Sequence, residues 1–418
     1  MDLMPGVIVI LVLYLAAAMA GLALEFLNLS RLDERWGEVP PGFEGRIDRD
    51  FLARSREYTV ENARLAMMEK AAGSVLVPVF IMFLLKPYDD WVSSLGYGFI
   101  ASGAVFFMLL ILAETLLAAP FAFWRVFRIE RKFGFSAMTP GLWAADFAKS
   151  LGISSALVLF LISAGLWIIS ISPGLWWLWL WGLFMAFTIF MMYLSPHVIE
   201  PLFNRFEEVD DPGLRDGVSE VLKKAGIRVG KVLKVDASRR TSHTNAYFTG
   251  IGSVKRIVLY DTLLEKLGKE EVVSVLAHEA GHWKGRHLLK GLAAVEMLSL
   301  AALYISYRLI EGGLLERALG SEGASFYAQV VLLGLLASVA AFPLGPLFAW
   351  LSRRREKRAD RFAAEISGDP SSMASALIKL SRDNLSNLHP HPLYAAFRYS
   401  HPPVAERVRV LRKMGEGT

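Results

Sequence analysis

The chain has 418 residues, of which 54% are hydrophobic; it has no cysteine and a formal net charge of +5. Without cysteine there is neither a disulfide framework nor a thiolate metal site, so any metal has to be held by histidine and carboxylate. The apolar residues lie in long runs rather than at core spacing, which excludes an ordinary soluble chain, and the modest charge gives no pointer to nucleic acid.

In chain order, seven segments approach or exceed the ~20 residues that a bilayer demands. They are 5–28, 71–90, 95–124, 150–173, 175–196, 288–311 and 326–352. The first is too long for a signal peptide and lacks a small-residue cleavage site, so it reads as an anchor. Lys86 and Asp89-Asp90 shorten the apolar part of the second. Trp167, Trp176, Trp177, Trp179 and Trp181 gather at the turn between the fourth and fifth, as in an interfacial aromatic belt. Arginine and lysine are concentrated in 29–70, 125–149, 197–287 and 353–418, whereas the alternate loops carry almost none. By the positive-inside rule this predicts an external N-terminus and a cytoplasmic C-terminus.

Two regions fall outside the spans, giving four parts: five helices over 1–196, a cytoplasmic unit over 197–287, two helices over 288–352 and a cytoplasmic tail over 353–418. The fold class expected is an α-helical polytopic membrane protein with a small cytoplasmic α/β unit. Val232 to Asp236 and Arg256 to Tyr260 read as strands, with a third at Asn245-Ala246-Tyr247-Phe248 bounded by Gly250 and Gly252. A helix starts near Lys269 and is expected to run on into the sixth span. In the tail, a helix over about 353–366 ends at Ser367-Gly368-Asp369-Pro370.

The sharpest chemical signal is His278-Glu279-Ala280-Gly281-His282. On a helix, residues four apart share a face, so His278 and His282 can take adjacent corners of a zinc tetrahedron. Glu279 lies about 100° round the helix and is placed to act on water rather than to bind the metal. A catalytic zinc needs a third protein ligand and an open position. The seventh span returns to the cytoplasmic side near Leu351, so residues just beyond it share the motif's depth. Glu356 stands there, and Asp360, four residues on, can orient a ligand histidine. The plainer reading of 352–360 is a basic juxtamembrane cluster that binds acidic headgroups.

Taken together, the His278–Lys284 motif, Glu356 to Asp360 and Asn245 to Phe248 resemble the type I CAAX prenyl protease family. Further landmarks in matching order are Ser55 to Thr59, Phe133-Gly134-Phe135, Pro201 to Phe206 and Ser400-His401-Pro402-Pro403. The resemblance implies seven helices around a chamber, one zinc per chain held by His278, His282 and Glu356, and Glu279 as general base. It also implies that Asn245, His401 and Arg407 face the substrate and the developing oxyanion. Independently, an edge strand holding Asn245, Ala246 and Tyr247 could pair with an extended peptide. The alternatives are a hairpin turn for Asn245, a turn cap for His401 and an exposed helix cation for Arg407. His287 reads as an interfacial histidine, and His243 as a minor candidate for the cleft.

The function expected is a membrane zinc endopeptidase cutting near the C-terminus of a peptide, with membrane lipid and a peptide or protein substrate, lipid-modified or unmodified, as partners. Its rivals are a quality-control zinc protease of the heat-shock type, which usually has fewer helices, and a transporter or receptor with structural zinc. A closed structural site needs four protein ligands and no base, so Glu279 argues against the last.

Overall fold

The computed structural model describes residues 5–249, 254–319 and 324–416; Gly250 and Gly252 lie outside the described residues. The chain opens with α1 (Pro5–Glu34), then α2 (Arg49–Val79), a π-helical stretch Phe80–Leu84 and α3 (Leu85–Ser94). Next come α4 (Phe99–Trp124), a π-helical stretch Arg125–Glu130, α5 (Pro140–Ile171) and α6 (Trp176–Leu194). A third π-helical stretch, Ser195–Ile199, leads into the single turn α7 (Glu200–Phe203).

Among the described residues, seven helical runs are long and apolar enough to cross a membrane. Many of their apolar side chains are uncovered by protein; Met297, for example, is 74% exposed. In a soluble protein such faces would be buried, whereas spans of this length and composition suit a bilayer.

The second and fourth runs begin well before the expected starts at 71 and 150. Helix α2 starts at Arg49, where the Asp48 side chain accepts a hydrogen bond from the Phe51 amide. Helix α5 starts at Pro140, where Thr139 caps the Leu142 amide in the same way. Hydropathy marks only the apolar part of a helix, while caps mark its beginning. The run Arg49–Ser94 has 46 residues. At 1.5 Å per residue it spans roughly 69 Å, twice a bilayer's hydrocarbon core, so its polar first half projects into water. Pro78 lies inside it, just before the π-helical stretch, where a missing amide is accommodated by a wider turn.

The α/β unit follows: β1 (Phe206–Glu208), α8 (Pro212–Lys224), β2 (Arg228–Val235), β3 (Ala246–Thr249) and β4 (Val254–Tyr260). The sheet order is β1-β2-β4-β3, with β2 and β4 parallel and both outer pairs antiparallel. Strand β3 is therefore an edge strand, paired on one side only by β4. After α9 (Asp261–Lys266), helix α10 (Lys269–Lys284) packs beneath the sheet through Val272, Leu276 and Ala280. It does not run on into the sixth span: the chain turns at Gly285-Arg286 before α11 (His287–Glu311) begins.

The rest comprises α12 (Leu314–Leu319), α13 (Phe326–Ala341), α14 (Gly345–Ser367), α15 (Pro370–Asp383), α16 (Pro392–Arg398) and α17 (Val404–Glu416). The seventh span is α13 and α14 joined by one tight turn at Phe342–Leu344, and α14 continues past the expected end at 352 to Ser367. Helices α15 and α17 share a core with the base of α2, made of Phe51, Leu52, Leu65, Leu377, Val408 and Leu411.

Bundle, sheet and tail meet at His243. Its Nδ1 lies 2.8 Å from Asn384 Oδ1 and its Nε2 3.0 Å from Glu130 Oε2, while its ring stacks on Phe135 at 4.4 Å. Tyr58 donates to the other Glu130 oxygen at 2.7 Å. Burial opposes a charge on His243, but the hydrogen bonds to Glu130 and Asn384 outweigh it and raise the pKa above its ordinary 6.5. Both ring nitrogens face acceptors, so the protonated ring satisfies both. A pKa raised by folding gives stability that is complete below the unfolded value and is lost as pH rises through the folded one. The melting-temperature gap between wild type and His243→Gln in detergent should therefore be widest near pH 6 and shrink towards pH 9. A gap that stays constant over that range would show that the ring is held neutral.

Candidate metal centre

Helices α10 and α14 bring the centre together. The α10 N-terminus is fixed by Glu271, which accepts from the Gly268 amide at 2.8 Å, from Ser375 at 2.7 Å and from Lys379 at 2.8 Å. Downstream, α10 lies against α14 at Gly281. A Cβ at Gly281 would stand 2.9 Å from Ala359 Cα and 3.2 Å from its carbonyl oxygen, so only glycine allows this approach.

At that crossing His278, His282 and Glu356 each offer one atom within 4.8 Å of the others. The two Nε2 atoms are 3.2 Å apart, His278 Nε2 is 3.3 Å from Glu356 Oε2, and His282 Nε2 is 3.1 Å from Glu356 Oε1. Zinc bonds of ~2.0–2.2 Å place neighbouring tetrahedral ligands about 3.3–3.5 Å apart, so the triangle fits such an ion to within a few tenths of an ångström. Glu356 Oε2 is buried with no hydrogen-bond partner among the described residues, an arrangement that costs free energy unless a cation satisfies it.

The field around the triangle favours positive charge. Burial works against a protonated His278, yet the Asp360 and Glu356 carboxylates outweigh it and carry its pKa to about 9. Asp360 Oδ1 is 2.8 Å from His278 Nδ1, the geometry that directs the Nε2 lone pair towards a metal. Glu279 projects from the same helix and has no hydrogen-bond partner among the described residues. Burial pushes its carboxyl above the ordinary carboxylate range, with His278 and His282 partly opposing.

Other expected residues occupy distinct places. His401 Nε2 lies 3.4 Å from Glu356 Oε2, its side chain is 58% exposed, and Ser400 Oγ is 2.9 Å from its Nδ1. It thus stands on the open side of the triangle. Arg407 is not an exposed cation: its side chain is only 10% exposed and donates to both Asp360 oxygens, at 2.9 and 2.7 Å. Its guanidinium lies on the Nδ1 side of His278, behind the ring. Asn245 is exposed at the entrance to β3, where its side chain accepts from the Ala246 amide at 2.8 Å. Ala246 packs into the sheet core, and the Tyr247 hydroxyl donates to Glu200 at 2.7 Å, so these two offer the cleft their backbone rather than their side chains. Sequence reasoning missed Gly281, whose place inside the motif was the available signal. His287, read as an interfacial histidine, opens α11, and its Nδ1 lies 2.9 Å from His282 Nδ1.

Seven apolar helices and an H-E-x-x-H helix facing a carboxylate define a multi-pass integral-membrane metalloendopeptidase acting on peptide or protein substrates. The comparisons with known proteins agree. Residues 29–205 match the model for the CAAX prenyl protease N-terminal region with five membrane helices, and residues 208–415 match peptidase family M48. The chain is 30% identical to the CAAX prenyl protease 1 homolog of Oryza sativa subsp. japonica, over 95% of this chain and 97% of that one. It is also 30% identical to CAAX prenyl protease 1 of Saccharomyces cerevisiae, over 91% and 89%. An uncharacterized metalloprotease of Bacillus subtilis, YhfN, is 32% identical over 80% of each chain. The crystal structure of S. mikatae Ste24p superposes with a TM-score of 0.88 at 27% identity, covering 97% of this chain and 99% of that one. The chain belongs to the CAAX prenyl protease branch of peptidase family M48.

Arg407 and Asp360 form a buried ion pair, and removing one partner of such a pair costs about 3–5 kcal/mol because the other charge is stranded. Arg407→Leu should therefore lower the melting temperature in detergent, and Arg407→Leu with Asp360→Asn should recover part of the loss. A single variant that melts like the wild type would show that the pair contributes nothing.

Proposed function

We propose that the protein is a zinc endopeptidase at the cytoplasmic membrane surface that cuts peptides near their C-termini, including prenylated CAAX-type peptides. The observation that carries this reading is the His278–His282–Glu356 triangle, with Glu279 beside it. The names of the relatives supply the substrate class. The arginine-rich segments of the sequence supply the sidedness.

The triangle would hold the zinc through His278 Nε2, His282 Nε2 and a Glu356 oxygen. When bound, zinc supplies a Lewis acid that polarises the scissile carbonyl and lowers the pKa of water. An extended peptide pairs with the free edge of β3 from Asn245 onward, which sets its depth and direction. Glu279 takes the proton of the attacking water and passes it to the leaving amine, a role that suits a carboxyl raised by burial. His401, on the open side, donates to the oxygen that gains charge. Arg407 works at one remove: it holds Asp360, and Asp360 holds His278. A prenyl chain gains about 0.8 kcal/mol for each buried CH₂, and membrane lipid can shelter it as well as protein can. The prenyl group therefore aids binding without being required for the chemistry.

Purified protein should carry close to one zinc per chain, and His282→Ala should lose most of it. Glu279→Gln should keep the zinc and the melting temperature but lose at least about tenfold in kcat, since glutamine cannot accept the proton. Full activity after exhaustive chelation would refute the zinc reading, and retained turnover in Glu279→Gln would refute the base. Matched peptides with and without farnesyl should differ mainly in KM; no cleavage of the unmodified peptide at saturation would make the lipid obligatory.

A further inference from the structure

The corner between α10 and α11 is unusual in three ways at once. Helix α10 stops at Lys284, although the apolar sixth span begins three residues later. Arg286 adopts the left-handed conformation, at φ 51°, which non-glycine residues avoid unless the surroundings impose it. The turn then folds His287, the first residue of the span, back onto the helix it has just left. His287 is 8% exposed, and its Nδ1 lies 2.9 Å from Nδ1 of His282.

Two nitrogens at that distance share one proton, so one ring donates and the other accepts. The Nε2 of His282 faces Glu356 and His278, and to ligate a metal it must present a lone pair. Its proton then sits on Nδ1 and is donated to His287. We propose that His287 is a positioning residue for the metal: it accepts the Nδ1 proton of His282, fixing both the tautomer and the rotation of that ring. The inference rests on the zinc reading of His282. It gives the two ligand imidazoles different supports, since His278 leans on the Asp360 carboxylate and His282 on a neutral ring supplied by a membrane helix.

Gly285 belongs to the same device. Its own conformation, φ −68° and ψ −7°, is open to any residue. A Cβ there, however, would lie 2.3 Å from His287 Nε2 and 2.7 Å from Cδ2. Glycine is needed at 285 for the space it leaves to the His287 ring, and an alanine would push that ring away while keeping its chemistry.

The test uses the full-length protein in detergent and reads zinc release to a chromogenic chelator, together with the visible spectrum of the cobalt-substituted protein. Asparagine places an acceptor where His287 has Nδ1; leucine has nearly the same shape and no acceptor. Loss of such a support typically costs about 10–100-fold in metal affinity. His287→Leu should therefore release zinc about 10–100 times faster and shift the cobalt bands, whereas His287→Asn should stay within a few-fold of wild type. Gly285→Ala should resemble His287→Leu in release rate, which keeps the test valid if His287→Leu folds poorly. Wild-type release from His287→Leu and Gly285→Ala, or equal losses in the leucine and asparagine variants, would overturn the assignment. A wild-type protein that holds no zinc would instead bring down the metal reading, and this inference with it.

Discussion

The centre depends on one close approach, that of α10 and α14 at Gly281 and Ala359. Four side chains of the candidate site hang from this crossing, His278 and His282 on one helix and Glu356 and Asp360 on the other. Helix geometry fixes the spacing within each pair, but the distance between pairs is set only by how near the backbones come. Ordinary helix pairs stand 8–10 Å apart. A Cβ at 281 would force the two apart, beyond the 3.1–3.3 Å that separates the imidazoles from the carboxylate. Buried carboxylates and imidazoles held this close are costly unless they share a proton or a cation, so a metal held there would support the crossing.

A second constraint keeps this crossing in register with the membrane. Several landmarks that carried the family resemblance are far from the metal in sequence and touch none of the three triangle residues. Ser55 donates to the carbonyls of Leu385 and Ser386; Tyr58 packs on Phe133 and Phe135 and donates to Glu130; Asn204 accepts from Arg240. All lie where the spanning helices meet the sheet and the tail. They join parts separated by up to 331 residues in sequence, so they act on the position of the catalytic unit rather than on its chemistry.

Much of this was legible in the sequence because its causes are local. Long apolar runs announce spans whatever their neighbours do, and i,i+4 histidines announce a shared face. Glu356 could be found because topology restricts which residues lie at one depth. What stayed hidden depends on tertiary contacts. Nothing in the tail marks Arg407 as buried, since a guanidinium in an amphipathic helix reads the same with or without Asp360 opposite. The break before α11 was missed because His287-Leu288-Leu289 continues a plausible helical pattern, and an arginine in the left-handed region gives no sequence signal. Span starts were misplaced because hydropathy ends where a helix enters water, whereas the helix does not.

That last discrepancy explains how a membrane protein builds a water-consuming site. The runs Arg49–Ser94 and Phe326–Ser367 have 46 and 42 residues, roughly 69 and 63 Å of helix, against a hydrocarbon core of about 30 Å. About half of each therefore stands outside the lipid, and the projecting part of the second carries Glu356 and Asp360. The base of the first carries Ser55 and Tyr58. Hydrolysis needs water and polar, titratable groups, which are penalised in hydrocarbon. Extending the spanning helices past the interface meets both demands. The polar groups stand beyond the apolar stretches, yet they are held by helices whose other ends are those stretches.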